Sequence, residues 1–155
     1  RNLSPTNKFG SACPTYLDNP FQPSGWHGDW AKYFILLLSR ASEYDNRNHG
    51  DWLTASITFK ILLDQTVPRL LEPVTVTPCL LHGSLTRSKL RINAGTGKAL
   101  LLPSTTFYGH NEFDLGAWSS LNSTLSWNYF KEYQELIPPS NPEHGYYDRI
   151  KLYSI

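Results

Sequence analysis

CLLHGSLTRSKLRINAGTGKALLLPSTTFYGHNEFDLGAW, residues Cys79–Trp118, is the stretch that decides the fold. Its first residues, Cys79–Leu81, predict a strand, which runs into His-Gly and a loop. Two further apolar runs, Leu90–Ile92 and Ala99–Leu102, flank a cluster of turn residues and so predict a β-hairpin. An aromatic-rich turn then leads into a helix predicted over Asn111–Ser120.

The residues before this segment predict a first amphipathic helix. From Trp30 onward, apolar side chains recur at the i, i+3, i+4, i+7 spacing of one helix face. Asp29 is the expected N-cap, and the helix is expected to end near Tyr44. The polar stretch Asp45–Gly50 then predicts a loop.

A second helix is predicted directly after this loop. Asp51 can cap it, and its apolar residues again lie on one side. Pro68 is expected to kink or stop the helix near Thr66, and Arg69–Leu71 can add one more turn.

Together these elements predict one α+β domain, mainly helical, over residues 1–155. Residues 1–25 are rich in proline and predict an extended strap on the core. Ser126–Leu136 and Tyr147–Ile155 predict two further helices. The hairpin is too small to fold alone and is expected to lie on the helices.

Composition favours an ordinary globular domain. The 155 residues are 40% apolar and 14% aromatic, which suffices for one core. A formal net charge of +1, with scattered Lys and Arg, gives no reason to expect nucleic acid or an anionic membrane as a partner. The longest apolar run, Tyr33–Leu38, is far shorter than the ~18 residues of a membrane span, so a soluble or at most peripheral protein is expected.

The sequence does not decide the cellular compartment of the protein. The chain has no Met, so we expect a processed, trimmed or partial chain rather than a translation start at Arg1. Asn2 and Asn122 begin N-glycosylation sequons, which matter only in a secreted protein. Cys13 and Cys79 can form one disulfide or remain two thiols.

Several motifs now point to a family. The sequence LLHG-x-L is followed by a hairpin and then by FYGHNEFDLGAW. This order resembles the C-terminal lobe of the fructosamine kinases, or ketosamine-3-kinases, which are relatives of the aminoglycoside phosphotransferases. The resemblance covers nearly the whole chain and looks closest to the fungal versions. Further matches are Lys8-Phe9-Gly10, Trp26, Asp29-Trp30, Val67–Leu71 and Asp148-Arg149. It implies the C-terminal lobe of a protein-kinase-like fold with the N-terminal lobe absent.

Three chemical positions of that family differ here. The family motif is H-G-D-L-W-x-G-N, and the resemblance puts Ser84 in the place of the Asp that acts as catalytic base. It puts Lys89 in the place of an Asn that binds magnesium, and Pro103 in the place of a second metal-binding Asp. A general base supplies ~10²–10⁴-fold in rate, and a Ser hydroxyl has no useful basicity near neutral pH. We therefore expect no ATP, magnesium or other metal as cofactor.

His82 and Asp114 also fall on catalytic positions, but structural roles are expected for both. His82 is expected to hydrogen-bond the backbone around the loop, and Asp114 to tie the loop to its helix. His110 and Asp114 can face one another, yet two ligands without a third are a weak metal signal. A Ser84-His82-Asp114 hydrolase is disfavoured because the G-x-S-x-G elbow is missing.

The residues expected to line a ligand cleft are Lys89, Pro103, His110, Trp26 and Trp30. Such a cleft can bind a sugar-like or apolar ligand, and the surface left by the missing lobe can bind a protein partner. The leading hypothesis is a degenerate, non-phosphorylating family member that acts as a binding or interaction module. The alternative is an enzyme, either part of a larger or split ketosamine-3-kinase or a cleft reused for other chemistry on a small molecule. By resemblance the cytoplasm is expected, with secretion the alternative.

Overall fold

A four-stranded antiparallel sheet forms the centre of the computed structural model, which describes residues 2–16, 21–22, 24–50, 53–102, 105–119 and 127–155. In chain order the strands are β1 (Phe9–Ser11), β2 (Thr15–Tyr16), β3 (Phe21–Gln22), β4 (Gly25–His27), β5 (Cys79–Leu81), β6 (Leu90–Ile92), β7 (Ala99–Leu101) and β8 (Phe107–Gly109). The central sheet has the order β4-β1-β8-β5, while β2-β3 and β6-β7 form separate antiparallel pairs.

The N-terminal segment is part of this sheet. The sequence predicts a strap over residues 1–25, but β1 lies inside the sheet between β4 and β8. Gly10 allows this, because its φ is 112° and a Cβ there would collide with the carbonyl oxygen of Gly25 on the neighbouring strand. Pro5 and Pro14, which make the segment look irregular, flank the strand and leave its hydrogen bonds intact.

Helix α1 (Trp30–His49) begins where predicted and ends later than predicted. The Asp29 carboxylate accepts a hydrogen bond from a backbone amide of the first turn at 3.1 Å, which confirms the cap. The prediction of a loop at 45–50 is wrong, since the helix continues to His49. Side-chain pairs one turn apart, such as Asp45 with His49 at 2.7 Å, favour helix in this polar segment.

The second helical segment passes through Pro68. Helix α2 (Leu53–Ile61) widens into a π-helical turn, Leu62–Thr66, and continues as α3 (Val67–Leu71). Proline has no N–H to donate to the carbonyl four residues earlier, and the wider turn accommodates that missing donor. Of the two expected outcomes, a kink or a stop, the stop near Thr66 is wrong, and the extra turn is present. The predicted cap, Asp51, lies outside the described residues.

The hairpin forms where predicted, with Leu90 opposite Leu101. Its apolar side chains are largely exposed, including 74% of Ile92 and 54% of Leu101, which contrasts with the expected packing on the helices. Strand β8 has the sequence Phe-Tyr-Gly, which was predicted as a turn. Its pairing with β1 and β5 depends on residues distant in the chain, so local pattern alone does not reveal it.

Three more helices complete the fold: α4 (Phe113–Ser119), α5 (Trp127–Leu136) and α6 (Tyr146–Leu152). The predicted α+β class is confirmed, with more residues in helices than in strands. The main core cluster surrounds Trp30 and Phe34 of α1, and a smaller one surrounds Leu115 of α4. Cys13 and Cys79 are both thiols. Within the described ranges, none of the helices combines the length and the apolar character that crossing a bilayer requires.

Candidate functional site

Asp114 holds the loop that follows β5. From the first turn of α4, its Oδ2 accepts the backbone N–H of His82 at 2.7 Å, and its Oδ1 accepts that of Gly83 at 2.8 Å. Burial raises the pKa of this carboxyl, and the two amide hydrogen bonds act against the shift. Gly83 has φ 82°, and a Cβ there would collide with the Thr105 carbonyl oxygen. Asp114 therefore has the structural role that the sequence predicts.

Two side chains fix the rest of the loop. His82 Nε2 lies 3.1 Å from the Leu102 carbonyl oxygen, so this nitrogen carries the proton and donates. Trp118 Nε1 donates to the Leu85 carbonyl oxygen at 2.9 Å. The backbone contact of His82 was predicted. That of Trp118 was not, although a half-buried indole N–H usually finds an acceptor.

Ser84 is presented by this fixed loop. It directly follows the two amides held by Asp114, and only 9% of it is exposed. Its carbonyl oxygen accepts from the Thr86 amide at 2.9 Å, and a 3₁₀ turn, Arg87–Lys89, follows. The loop thus places a hydroxyl group at the position where the resemblance expects a carboxylate.

Lys89 ends this turn and connects the loop to the hairpin. It is half-buried, and its carbonyl oxygen accepts from the Leu102 amide at 2.8 Å. Pro103, the next expected cleft residue, lies outside the described residues. Across the part of the chain that the structure describes, no three His, Cys, Asp or Glu side chains are grouped so that they could hold a metal ion.

A Ser-His-Asp triad is not supported by these contacts. Both oxygens of Asp114 accept from backbone amides, and the His82 Nε2 donates to a carbonyl oxygen. A triad requires the carboxylate to bond the imidazole and the imidazole to face the Ser hydroxyl. His82 and Asp114 instead stabilise the backbone that carries Ser84.

His110 belongs to a buried hydrogen-bond network. Its Nδ1 lies 2.8 Å from the Tyr153 hydroxyl, to which Trp30 Nε1 donates at 2.7 Å. Because that hydroxyl has one proton, the network is complete when Tyr153 donates to Nδ1 and His110 Nε2–H donates to Ser140 Oγ at 2.9 Å. His110 and Trp30 are 0% and 3% exposed, so both lie in the core and not along the expected cleft. Both oxygens of Asp114 are engaged at the loop, whereas the two ring nitrogens of His110 contact Tyr153 and Ser140.

Trp26 is half-buried in β4 and packs against Tyr108, with ring centroids 5.8 Å apart. Unlike Trp30, it keeps part of its surface exposed. With Lys89, it remains a predicted ligand-binding residue.

The candidate site consists of a strand, a loop whose amides are anchored, a hairpin and a helix that supplies the anchoring carboxylate. The same fold is found in the crystal structure of a Haemophilus somnus protein named as a fructosamine-3-kinase. The two match with a TM-score of 0.73 and 23% identity, over 99% of this chain and 48% of the other. The sequence model of the fructosamine kinase family matches residues 1–155, and the chain belongs to that family.

Curated relatives agree with this assignment. The chain is 26% identical over 152 residues to the chloroplastic protein-ribulosamine 3-kinase of Arabidopsis thaliana, covering 94% of this chain and 42% of that protein. It is 26% identical over 150 residues to the probable ketoamine kinase of Enterococcus faecium, covering 96% and 52%. The chain therefore spans about half the length of these relatives. The predicted family is confirmed, and closeness to fungal members stays a prediction.

Proposed function

We propose that this chain is a fructosamine kinase-family lobe that does not transfer phosphate and acts as a binding module. The observation that supports it is the contrast within one loop. Asp114 holds the amides of His82 and Gly83, while the next residue, Ser84, offers a hydroxyl where the family has a carboxylate. A hydroxyl does not take the proton of a sugar hydroxyl near neutral pH, so transfer through this loop is not expected.

Lys89 adds a second reason. At this position the family has an Asn that binds magnesium, and an ammonium group repels a divalent cation. With Pro103 at the second metal position, the proposal includes neither ATP nor magnesium as a cofactor. The ligand class that we propose is a ketoamine sugar, because the relatives are named ribulosamine and ketoamine kinases. Ser84 and Lys89 can hydrogen-bond sugar hydroxyls without any transfer.

The test must separate the chemistry of the loop from the length of the chain. In the full-length Arabidopsis relative, Ser and Lys are placed at the positions that match Ser84 and Lys89. We expect kcat to fall by ~10²–10⁴-fold from loss of the base alone, with the protein still folded. Unchanged kcat in that variant would show that the loop residues do not explain a lack of transfer.

The second arm uses this chain itself. Wild-type protein is expected to show no magnesium-dependent ATP turnover, and no rise in melting temperature with ATP and magnesium. A ribulosamine- or fructosamine-modified lysine is expected to raise the melting temperature, and Ser84→Ala to reduce that rise. Magnesium-dependent formation of a phosphorylated ketoamine that is abolished by Ser84→Ala would contradict the proposal.

A second candidate is one portion of a larger or split ketosamine kinase. Two observations favour it: the chain spans about half the length of its relatives, and the hairpin exposes Ile92 and Leu101, which another lobe can cover. The portion of the Arabidopsis relative that this chain does not match is expressed separately and titrated against it. A complex that binds ATP and releases ADP would favour this candidate. Failure to form a complex would favour the binding module.

A further inference from the structure

A cavity of about 230 Å³ lies behind the loop, between β5, α4 and the end of α5. Its walls are mostly apolar and include Leu81, Leu85, Leu115 and Ile137. Leu81 precedes the turn that Asp114 holds, and Leu85 follows it. Such a lining favours burial of an apolar molecule, because its apolar surface is then removed from water.

Four polar side chains also reach this cavity, and three of them have partners. Asp114 accepts two backbone amides, the Tyr133 hydroxyl donates to the Asn111 carbonyl oxygen at 3.3 Å, and the Cys79 thiol donates to the Gly109 carbonyl oxygen at 3.6 Å. The fourth is the amide of Asn111. That residue is 4% exposed, and its Nδ2 has no hydrogen-bond partner among the residues that the structure describes. A buried donor of this kind is costly to leave unpaired.

We infer that the cavity is a binding site for a compact, uncharged aromatic or alicyclic molecule with one hydrogen-bond acceptor, which Asn111 Nδ2 contacts. An apolar cavity of roughly 150 Å³ holds benzene, so by proportion this one holds about nine non-hydrogen atoms. Nδ2 itself is covered by the surrounding protein atoms, and rotation about the broad terminal torsion of the Asn side chain brings it to the ligand. An anion is disfavoured because the Asp114 carboxylate lines the same cavity.

The site is distinct from the position of Ser84, which does not line the cavity. The inference that this cavity binds a ligand is therefore independent of whether the chain transfers phosphate. Because Leu81 and Leu85 lie on both sides of the anchored turn, a ligand packed against them stabilises the turn. Binding should slow hydrogen exchange at the His82 and Gly83 amides that Asp114 accepts.

The experiment compares two probes of equal shape on the intact chain. Acetophenone carries a carbonyl oxygen, and α-methylstyrene has a methylene group in its place. Calorimetric titration should show saturable binding of both, with acetophenone about threefold to tenfold tighter, as one net hydrogen bond predicts. Benzoate, of the same size but anionic, should not bind. The Asn111→Leu variant should bind the two uncharged probes equally, because the donor is gone and the shape is kept.

Two neighbouring substitutions to Phe, of which only one fills the cavity, form a matched pair. Ile137→Phe adds volume to the cavity wall and should abolish binding of both probes, while Leu136→Phe, at a position 83% exposed, should leave binding unchanged. No saturable binding, an acetophenone preference that persists in Asn111→Leu, or binding that survives Ile137→Phe would each overturn the inference. A high-resolution structure with only ordered water in the cavity after soaking would do the same.

Discussion

Glu112 and Arg149 form a fully buried ion pair joined at two points. Arg149 Nε donates to Glu112 Oε2 at 2.6 Å, and its Nη2 donates to Oε1 at 2.9 Å. Arg149 also donates to the carbonyl oxygens of Ser140 and Pro142, and Glu112 accepts from the Ser140 amide. The contacts made by Glu112 join α6, and the segment before it, to the residues that lead into α4. The pair thereby fixes the helix from which Asp114 reaches the loop.

Glu112→Gln should destabilise the protein strongly. The change leaves the Arg149 charge buried without its counter-charge, which costs about 3–5 kcal/mol in the free energy of unfolding. The matched control is Glu43→Gln, which breaks a half-exposed pair with Arg40 at 3.3 Å and should cost less than ~1 kcal/mol. Urea unfolding measures both. Equal effects of the two variants would contradict the assigned role of the buried pair.

Sequence reasoning reached the local features of the fold and missed the long-range ones. The hairpin was found because its turn residues lie between its two strands, and the cap at Asp29 because it adjoins its helix. Glu112 and Arg149 are 37 residues apart and belong to no repeating pattern, so nothing local pairs them. The central position of β1 was missed for the same reason, since it depends on partners in β4 and β8.

For the candidate site too, the sequence predicted the positions of some residues correctly and those of others wrongly. Ser84, Lys89 and Asp114 were located by their place in a family motif, and the structure puts Ser84 beside the anchor that was expected. His110 and Trp30 were expected to line a ligand cleft. They lie instead in the core, where Tyr153 satisfies both. Burial of a polar residue depends on partners that a single sequence does not identify.

Removal of the hydroxyl group should affect stability differently at Tyr33 and at Tyr153. The Tyr33 hydroxyl is buried, with no hydrogen-bond partner in the described part of the chain, whereas that of Tyr153 contacts Trp30 and His110. Tyr33→Phe should therefore be neutral or stabilise by up to ~1 kcal/mol, and Tyr153→Phe should destabilise by ~1–3 kcal/mol. Thermal and urea unfolding give both values. A loss of stability in Tyr33→Phe equal to that in Tyr153→Phe would contradict the geometry.

Tyr33 should also make stability depend on alkaline pH. Burial raises the pKa of Tyr33 from 10.0 to about 12, so the folded state retains a proton that the unfolded state releases. This contribution is fully present below pH 10 and is lost as the pH rises through about 12. The free energy of unfolding should fall more steeply with pH in wild type than in Tyr33→Phe over that interval. Equal pH dependence of the unfolding free energy in wild type and Tyr33→Phe would contradict a contribution from Tyr33.

Asp114→Asn should loosen the loop. The amide oxygen can accept one of the two backbone N–H groups, and the amide nitrogen then faces the other, which costs ~1–3 kcal/mol. Hydrogen exchange at His82 and Gly83 should accelerate, while exchange within the hairpin stays unchanged. Unaltered exchange at both amides would show that the carboxylate is not the anchor.

The same variant isolates the pH dependence of that carboxyl. Burial raises the pKa of Asp114 above 3.8, so above that pH the unfolded state loses its proton before the folded state does. This contribution to stability is present at low pH and is lost as the pH rises through the folded pKa. The difference in unfolding free energy, wild type minus Asp114→Asn, should therefore decrease as the pH rises above 3.8. A difference that grows with pH in this interval would contradict the raised pKa.

Gly83 and Gly97 allow the shape of the loop to be tested without changing its chemistry. Both have positive φ, 82° and 67°, so alanine at either position carries a backbone strain of about 1–2 kcal/mol. A Cβ at Gly97 meets no atom within 4 Å, whereas one at Gly83 would collide with the Thr105 carbonyl oxygen beside β8. Gly83→Ala should therefore destabilise by clearly more than Gly97→Ala in urea unfolding. It should also speed exchange of the His82 amide, because the turn must move away from Asp114 to relieve the collision.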